Sequence, residues 1–159
     1  MKNTAGFTLV ELMITLVISV IILSIGIPSF NTAIRNNHIA AMSNQVISAL
    51  RLTRSEAIKR TQTVTLCAST NGTSCAGSTN WQTGWIILDA DNNVLRSWGP
   101  LSGNTTLTGS ASQIQYLPTG FVATAETFQL RADGCTGNEG RDIAISVTGR
   151  PSMTKVSCT

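Results

Sequence analysis

Apolar residues run almost unbroken from Phe7 to Phe30, thin to a helical stripe, and then give way to short alternating segments. From Leu12 to Ile34 no residue is charged, a run of about 23 residues that as a helix covers roughly 30 Å of hydrocarbon. Gly26 and Pro28 near its far end weaken the intrahelical ladder and predict a kink. Ile39, Met42, Val46, Leu50, Thr53 and Ala57 then recur at intervals of three and four, so the helix continues with one apolar stripe. Asn36, Asn44, Arg51, Arg54 and Lys59 face elsewhere. After Thr61 the period becomes two. Thr63 to Cys67, Trp85 to Leu88, Val94 to Trp98, Ile114 to Leu117, Thr127 to Leu130, Ile143 to Val147 and Met153 to Val156 read as strands separated by Gly, Pro, Asn and Ser clusters. The pattern predicts an α+β chain: one long helix, half apolar and half amphipathic, packed on an antiparallel β-domain of about seven strands.

Composition bounds the function. At 159 residues the chain holds one domain plus an anchor. Only 12% of residues are charged and the formal charge is +3, which permits an anionic partner without demanding one. Cys67, Cys75, Cys135 and Cys158 lie outside the apolar run and form no C-x-x-C pair, a usage that favours disulfides over a metal site. Of the three possible pairings we expect Cys67 with Cys75, closing a short loop, and Cys135 with Cys158, tying down the C-terminal strand.

The N-terminus has an unusual order. A secretory signal places its small-residue cleavage site after the apolar core. Here a polar leader, Met1 to Gly6, ends in glycine before the core, so a cut after Gly6 retains the anchor and creates a new α-amino group on Phe7. Glu11 then stands one helical turn from that amine. In hydrocarbon an ionised carboxylate costs roughly 2.5–3.5 kcal/mol on insertion scales, so its presence calls for a cationic partner.

Gly6-Phe7-Thr8-Leu9-Val10-Glu11, followed by the uncharged run and Pro28, resembles the N-terminal signature of type IV pilins and the pseudopilins of type II secretion. The segments Arg54 to Arg60, Val64 to Cys67, Trp81 and Gly84 to Ile87 are similar to minor pilins and pseudopilins of the GspH, FimT and FimU type. The resemblance implies a leader at 1–6, a transmembrane assembly helix at 7–30, its amphipathic continuation at 31–60 and a periplasmic β-rich head, sandwich-like, at 61–159. It also implies cleavage after Gly6 by a prepilin peptidase and methylation of Phe7. Glu11 would contact a neighbouring subunit's N-terminus during assembly. The implied product is a single-pass inner-membrane protein that joins a pilus or pseudopilus alongside major and minor pilins or pseudopilins, helping to initiate or cap the fibre.

No catalytic residue, cofactor or metal is expected. Asp89-Ala90-Asp91-Asn92-Asn93 begins like a calcium loop, but Val94 and Pro100 replace the required Gly and Glu, so a hairpin turn is the better reading. Trp81, Trp85 and Trp98 are expected to cluster in the core beneath that hairpin. His38 has no patterned triad partner, and the sequons at Asn71 and Asn104 are read as turns. Near the C-terminus, Gly149-Arg150 matches half of the Gly-Arg-x-Arg motif through which some FimT-type relatives bind DNA, but Ser152 replaces the second Arg. Arg141, Arg150 and Lys155 are therefore the candidate phosphate contacts in the alternative reading, a pilus-borne DNA receptor.

Overall fold

The structure, a computed structural model, describes residues 6–158, with the side chains of 25–29 and 31 outside the described residues. Residues 1–5 of the expected 1–6 leader and the expected kink at Gly26 and Pro28 fall outside them. The elements are α1 (Leu9–Arg60), β1 (Val64–Ala68), β2 (Trp85–Leu88), β3 (Val94–Trp98), β4 (Thr105–Gly109), β5 (Gln113–Tyr116), β6 (Glu126–Ala132), β7 (Gly140–Ile145) and β8 (Pro151–Val156). Two compact units divide the chain, residues 1–35 and Asn36–Thr159.

In the first unit α1 begins with a reciprocal cap. Glu11 N–H donates to Thr8 Oγ1 at 3.2 Å, and Thr8 N–H reaches back to Glu11 Oε2 at 3.5 Å. This is a capping box, and the acidic side chain in the first turn also suits the helix dipole. Thr15, Ser19 and Ser24 turn their hydroxyls onto carbonyls three or four residues back, so these polar groups are satisfied within the helix. Among the described residues no helix is long and apolar enough to cross a membrane.

The second unit holds one core, formed by the stripe of α1 and the inner faces of two sheets. Ile39, Ser43, Val46, Ala49, Leu50, Thr53 and Ala57 are buried, while Met42 is half-buried. Ser43 and Thr53 enter this apolar stripe because each hydroxyl bonds to the carbonyl of Ile39 or Ala49, leaving no unmet donor. The helix stops in a Schellman motif: Gln62 N–H bonds to Ala57 O and Thr61 N–H to Ile58 O. Thr61 takes the left-handed position at φ 52°, where Gly is usual.

One sheet has the order β3-β2-β1-β5 and the other β4-β6-β7-β8, with all pairs antiparallel. Among the described residues there are eight strands, against about seven read from the sequence. The addition is β4, where Thr105 and Leu107 face inward and Leu107 is the sole large apolar residue. Its start contains two residues of the Asn104-Thr105-Thr106 sequon, which is therefore a strand entry and not simply a turn.

The disulfides join Cys67 to Cys75 and Cys135 to Cys158. Cys67 faces away from the main core, in a second cluster with Ile86 and Leu88, and its bond holds the following loop on that side. The β2–β3 connection is a hairpin turn with a bulge at Ile87/Leu88. The Asp89 carboxylate accepts from Asp91 N–H, Asn93 N–H and Asn93 Nδ2, and the Asn93 backbone bond holds its pKa below the ordinary value. The tryptophans divide into two groups. Trp85 stacks on Trp98 with centroids 6.1 Å apart, whereas Trp81 meets Phe128 of the other sheet edge-on at 4.8 Å and donates Nε1–H to Ala111 O. All three tryptophans join the expected core, Trp81 and Trp85 buried in it and Trp98 packed against it, with Trp81 reaching the opposite sheet.

Candidate functional site

Two regions carry chemistry, and each is described within its own unit. At the N-terminus Gly6 and Phe7 are exposed ahead of α1, and nothing lies within 4 Å of the position a Cβ on Gly6 would take. Glu11 is exposed, and its only bonds among the described residues are those of the capping box.

The second region lies in the head, where the β7–β8 turn meets α1. Gly149 is buried at φ 73°, and its N–H bonds to Ser146 O at 2.7 Å. A Cβ there would stand 2.1 Å from Gly120 O and 2.9 Å from Tyr116 Cε1, so the close approach of two loops requires glycine. The turn exposes Arg150. Arg51, Arg54, Ser55, Ile58, Arg150 and Pro151 together line a groove of about 480 Å³. Arg54 is oriented by an Nε–H bond to Gly120 O at 3.0 Å. Tyr116 lies beneath, its phenol pKa raised to about 12 by burial despite the opposing Arg54 charge.

The three basic residues singled out near the C-terminus do not form one site. Arg141 is 3% exposed and points inward, its Nη1 donating to the carbonyls of Asn138, Glu139 and Gly140. It braces the loop that enters β7 and cannot reach a phosphate, which corrects its assignment as a DNA contact. Lys155 is exposed, but five strand residues from Arg150 place it roughly 16 Å along β8. Sequence reasoning assigned Arg51 and Arg54 to a solvated helix face; the turn brings Arg150 to them across almost a hundred residues.

Other candidates resolve simply. His38 Nε2 pairs with Ser102 Oγ at 3.1 Å, and among the described residues no carboxylate bonds to the ring. Donor atoms of Cys135, Glu139 and Cys158 lie within 4.8 Å of one another, but both sulfurs are committed to the disulfide. A larger groove of about 770 Å³ between Gln82, Leu101, Thr105 and Asp133 has its charged groups already engaged, Asp133 by Asn104 and Arg131 by Asp142.

A long N-terminal helix followed by two four-stranded antiparallel sheets is a pilin-like fold. Residues 42–149 match the family described as type II transport protein GspH, and residues 1–27 match the prokaryotic N-terminal methylation motif. The chain belongs to the GspH family. Its fold is shared with the type IV minor pilin FimU of Pseudomonas aeruginosa at 19% identity and a TM-score of 0.63, covering 77% of this chain and 96% of that one. The minor pseudopilin EpsH of the Vibrio cholerae type 2 secretion system follows at 17% identity and 0.55, covering 74% and 97%. A search among curated proteins gives no match.

Proposed function

We propose that this chain is a non-enzymatic minor pilin or pseudopilin. A prepilin peptidase cuts it after Gly6 and Phe7 is methylated. It crosses the bacterial inner membrane once, with the head in the periplasm, and it joins a type IV pilus or type II pseudopilus, where it helps to initiate or cap the fibre. The observation that carries the proposal is the joining, in one chain, of an N-terminal methylation motif with a GspH-type body. The uncharged run from Leu12 to Ile34 supports the anchor. Glu11 supports assembly: a carboxylate in hydrocarbon gains most from an ammonium, and cleavage supplies one on Phe7 of each subunit. Glu11→Ala should still insert and be cut, yet fail to copurify with fibre subunits. Normal incorporation of that variant would remove the assembly role, and a mature N-terminus other than Phe7 by mass spectrometry would remove the cleavage step.

The arginine groove favours a second reading, a fibre-borne DNA receptor. Arg51, Arg54 and Arg150 neutralise at most about three phosphates, giving a log-log salt slope no steeper than about −3 and weak, sequence-independent binding. Arg150→Ala should abolish such binding and Ser152→Arg should strengthen it. Duplex binding at physiological salt that is indifferent to both changes rules this site out.

A further inference from the structure

The end of the head nearest the C-terminus of α1 carries two features side by side. Ile58, Leu117, Phe121 and Val147 are each between 42% and 53% exposed. Backbone contacts hold these residues around one point. Leu117 N–H bonds to Phe121 O and Val122 N–H to Val147 O. Gly120, whose Cβ position lies 2.7 Å from Ile58 Cδ1, abuts Gly149. Alongside lies the groove of Arg51, Arg54 and Arg150, whose lining includes Ile58 and no carboxylate. Among the described residues none of the three guanidinium groups has an ion-pair partner, and nearby Glu56 is committed to Arg60 at 2.7 Å.

We propose that this apolar patch and its arginine flank form one docking surface for an acidic segment, bearing apolar side chains, of another protein subunit. The proposal rests on the fibre-subunit reading and names the chemistry of the contact. Charge decides the sign of the occupant: three cations without local anions attract carboxylates, and steering by such a patch selects against basic partners. The apolar half decides its class. A duplex presents phosphates along its outside and would leave Phe121 and Val147 against a charged, hydrated backbone, whereas a peptide with Leu or Phe among its carboxylates engages both halves. The surface is pre-formed. Arg54 is oriented by Gly120 O, and the two loops are locked by the Gly120–Gly149 approach, so little ordering accompanies binding.

The test uses the full chain in detergent with three fluorescent probes: a peptide alternating Glu and Leu, the same peptide with Gln for Glu, and a mixed-sequence DNA duplex. The Glu peptide should bind at least about tenfold more tightly than the Gln peptide, and Phe121→Ser or Arg150→Ala should each weaken it by about tenfold. Equal binding of the two peptides, or no binding of either, overturns the proposal. So does tighter binding of the duplex that is unaffected by Phe121→Ser, which assigns the surface to nucleic acid. In cells, Phe121→Ser with Val147→Ser should be cut and inserted normally but lose copurification with fibre subunits. Retained copurification refutes the docking surface while leaving the fibre-subunit reading intact, since that reading fails only if Glu11→Ala also incorporates. An unchanged urea midpoint, followed by tryptophan fluorescence, confirms that these exposed substitutions leave the fold alone.

Discussion

Gly149→Ala tests the packing of the β7–β8 turn on its neighbour. Two costs combine. Holding a non-Gly residue at φ 73° costs about 1–2 kcal/mol. The new methyl would also sit 2.1 Å from Gly120 O and 2.9 Å from Tyr116 Cε1, so a loop backbone must retreat by more than an ångström, and overpacking of this kind costs about 1–3 kcal/mol. The sum, about 2–5 kcal/mol, is a large part of the 5–15 kcal/mol typical of a domain. Gly77→Ala supplies the comparison, because Gly77 has φ 65° with nothing within 4 Å and so carries the conformational cost alone. Urea denaturation of both variants, followed by tryptophan fluorescence, should show Gly149→Ala losing about 1–3 kcal/mol more than Gly77→Ala. Equal losses would mean that the loops separate without resistance, and the pre-formed surface argued above would go with them.

Tyr116 should make the head sensitive to alkali. Its folded pKa is about 12 against an ordinary value near 10, so stability is full below pH 10 and falls as pH rises toward 12, by on the order of 2–3 kcal/mol; Tyr116→Phe should flatten that dependence in pH-scanned denaturation. Thr61→Gly should stabilise by about 1 kcal/mol, since it relieves a β-branched residue at φ 52° in the helix C-terminal motif, and a lower urea midpoint would contradict that account. Replacing Cys135 and Cys158 together by Ser should cost about 3 kcal/mol by the chain-entropy relation for a sequence separation of 23, with an unchanged thermal midpoint as the contrary result. Asn71-Gly72 should resist deamidation while folded: attack by Gly72 N on Asn71 Cγ is blocked because Gly72 N–H donates to Ser69 Oγ and Asn71 Oδ1 accepts from Thr73 and Ser74 N–H. Opening the Cys67–Cys75 loop by reduction should accelerate the conversion in peptide maps, and an unaltered rate would count against the protection.

The helix and most strands are legible because their signals are local. The stripe of Ile39, Val46, Leu50 and Ala57 states the helical period, β5 and β6 state the period of two, and β1 and β2 are short, largely apolar runs bounded by turn residues. β4 escaped because threonine serves both strand and turn, and Leu107 alone cannot establish an alternation. Arg141 was misplaced although the signal was present: Arg141, Ile143 and Ile145 alternate onto one face, which the two isoleucines fix as inward. Only its charge suggested the surface. Trp81 could not be placed, since its partner Phe128 lies on another sheet and no local pattern links the two. The arginine groove was equally hidden, because Arg150 reaches Arg51 and Arg54 through tertiary folding.

Under the function proposed above, the cap between Thr8 and Glu11 bears on how a fibre is taken apart as well as how it is built. In the isolated chain the carboxylate already has employment at the head of its own helix. In the assembly contact proposed above, a neighbour's ammonium would displace one modest hydrogen bond, so docking would be an exchange with a net gain smaller than that of rescuing a bare charge. The same exchange runs backward. Under the function proposed above, a subunit leaving the fibre would return its carboxylate to the Thr8 backbone N–H. A helix that holds its proposed docking group in this way would make a reusable part, because the donor to the carboxylate is a backbone N–H and persists whatever non-proline side chain stands at position 8.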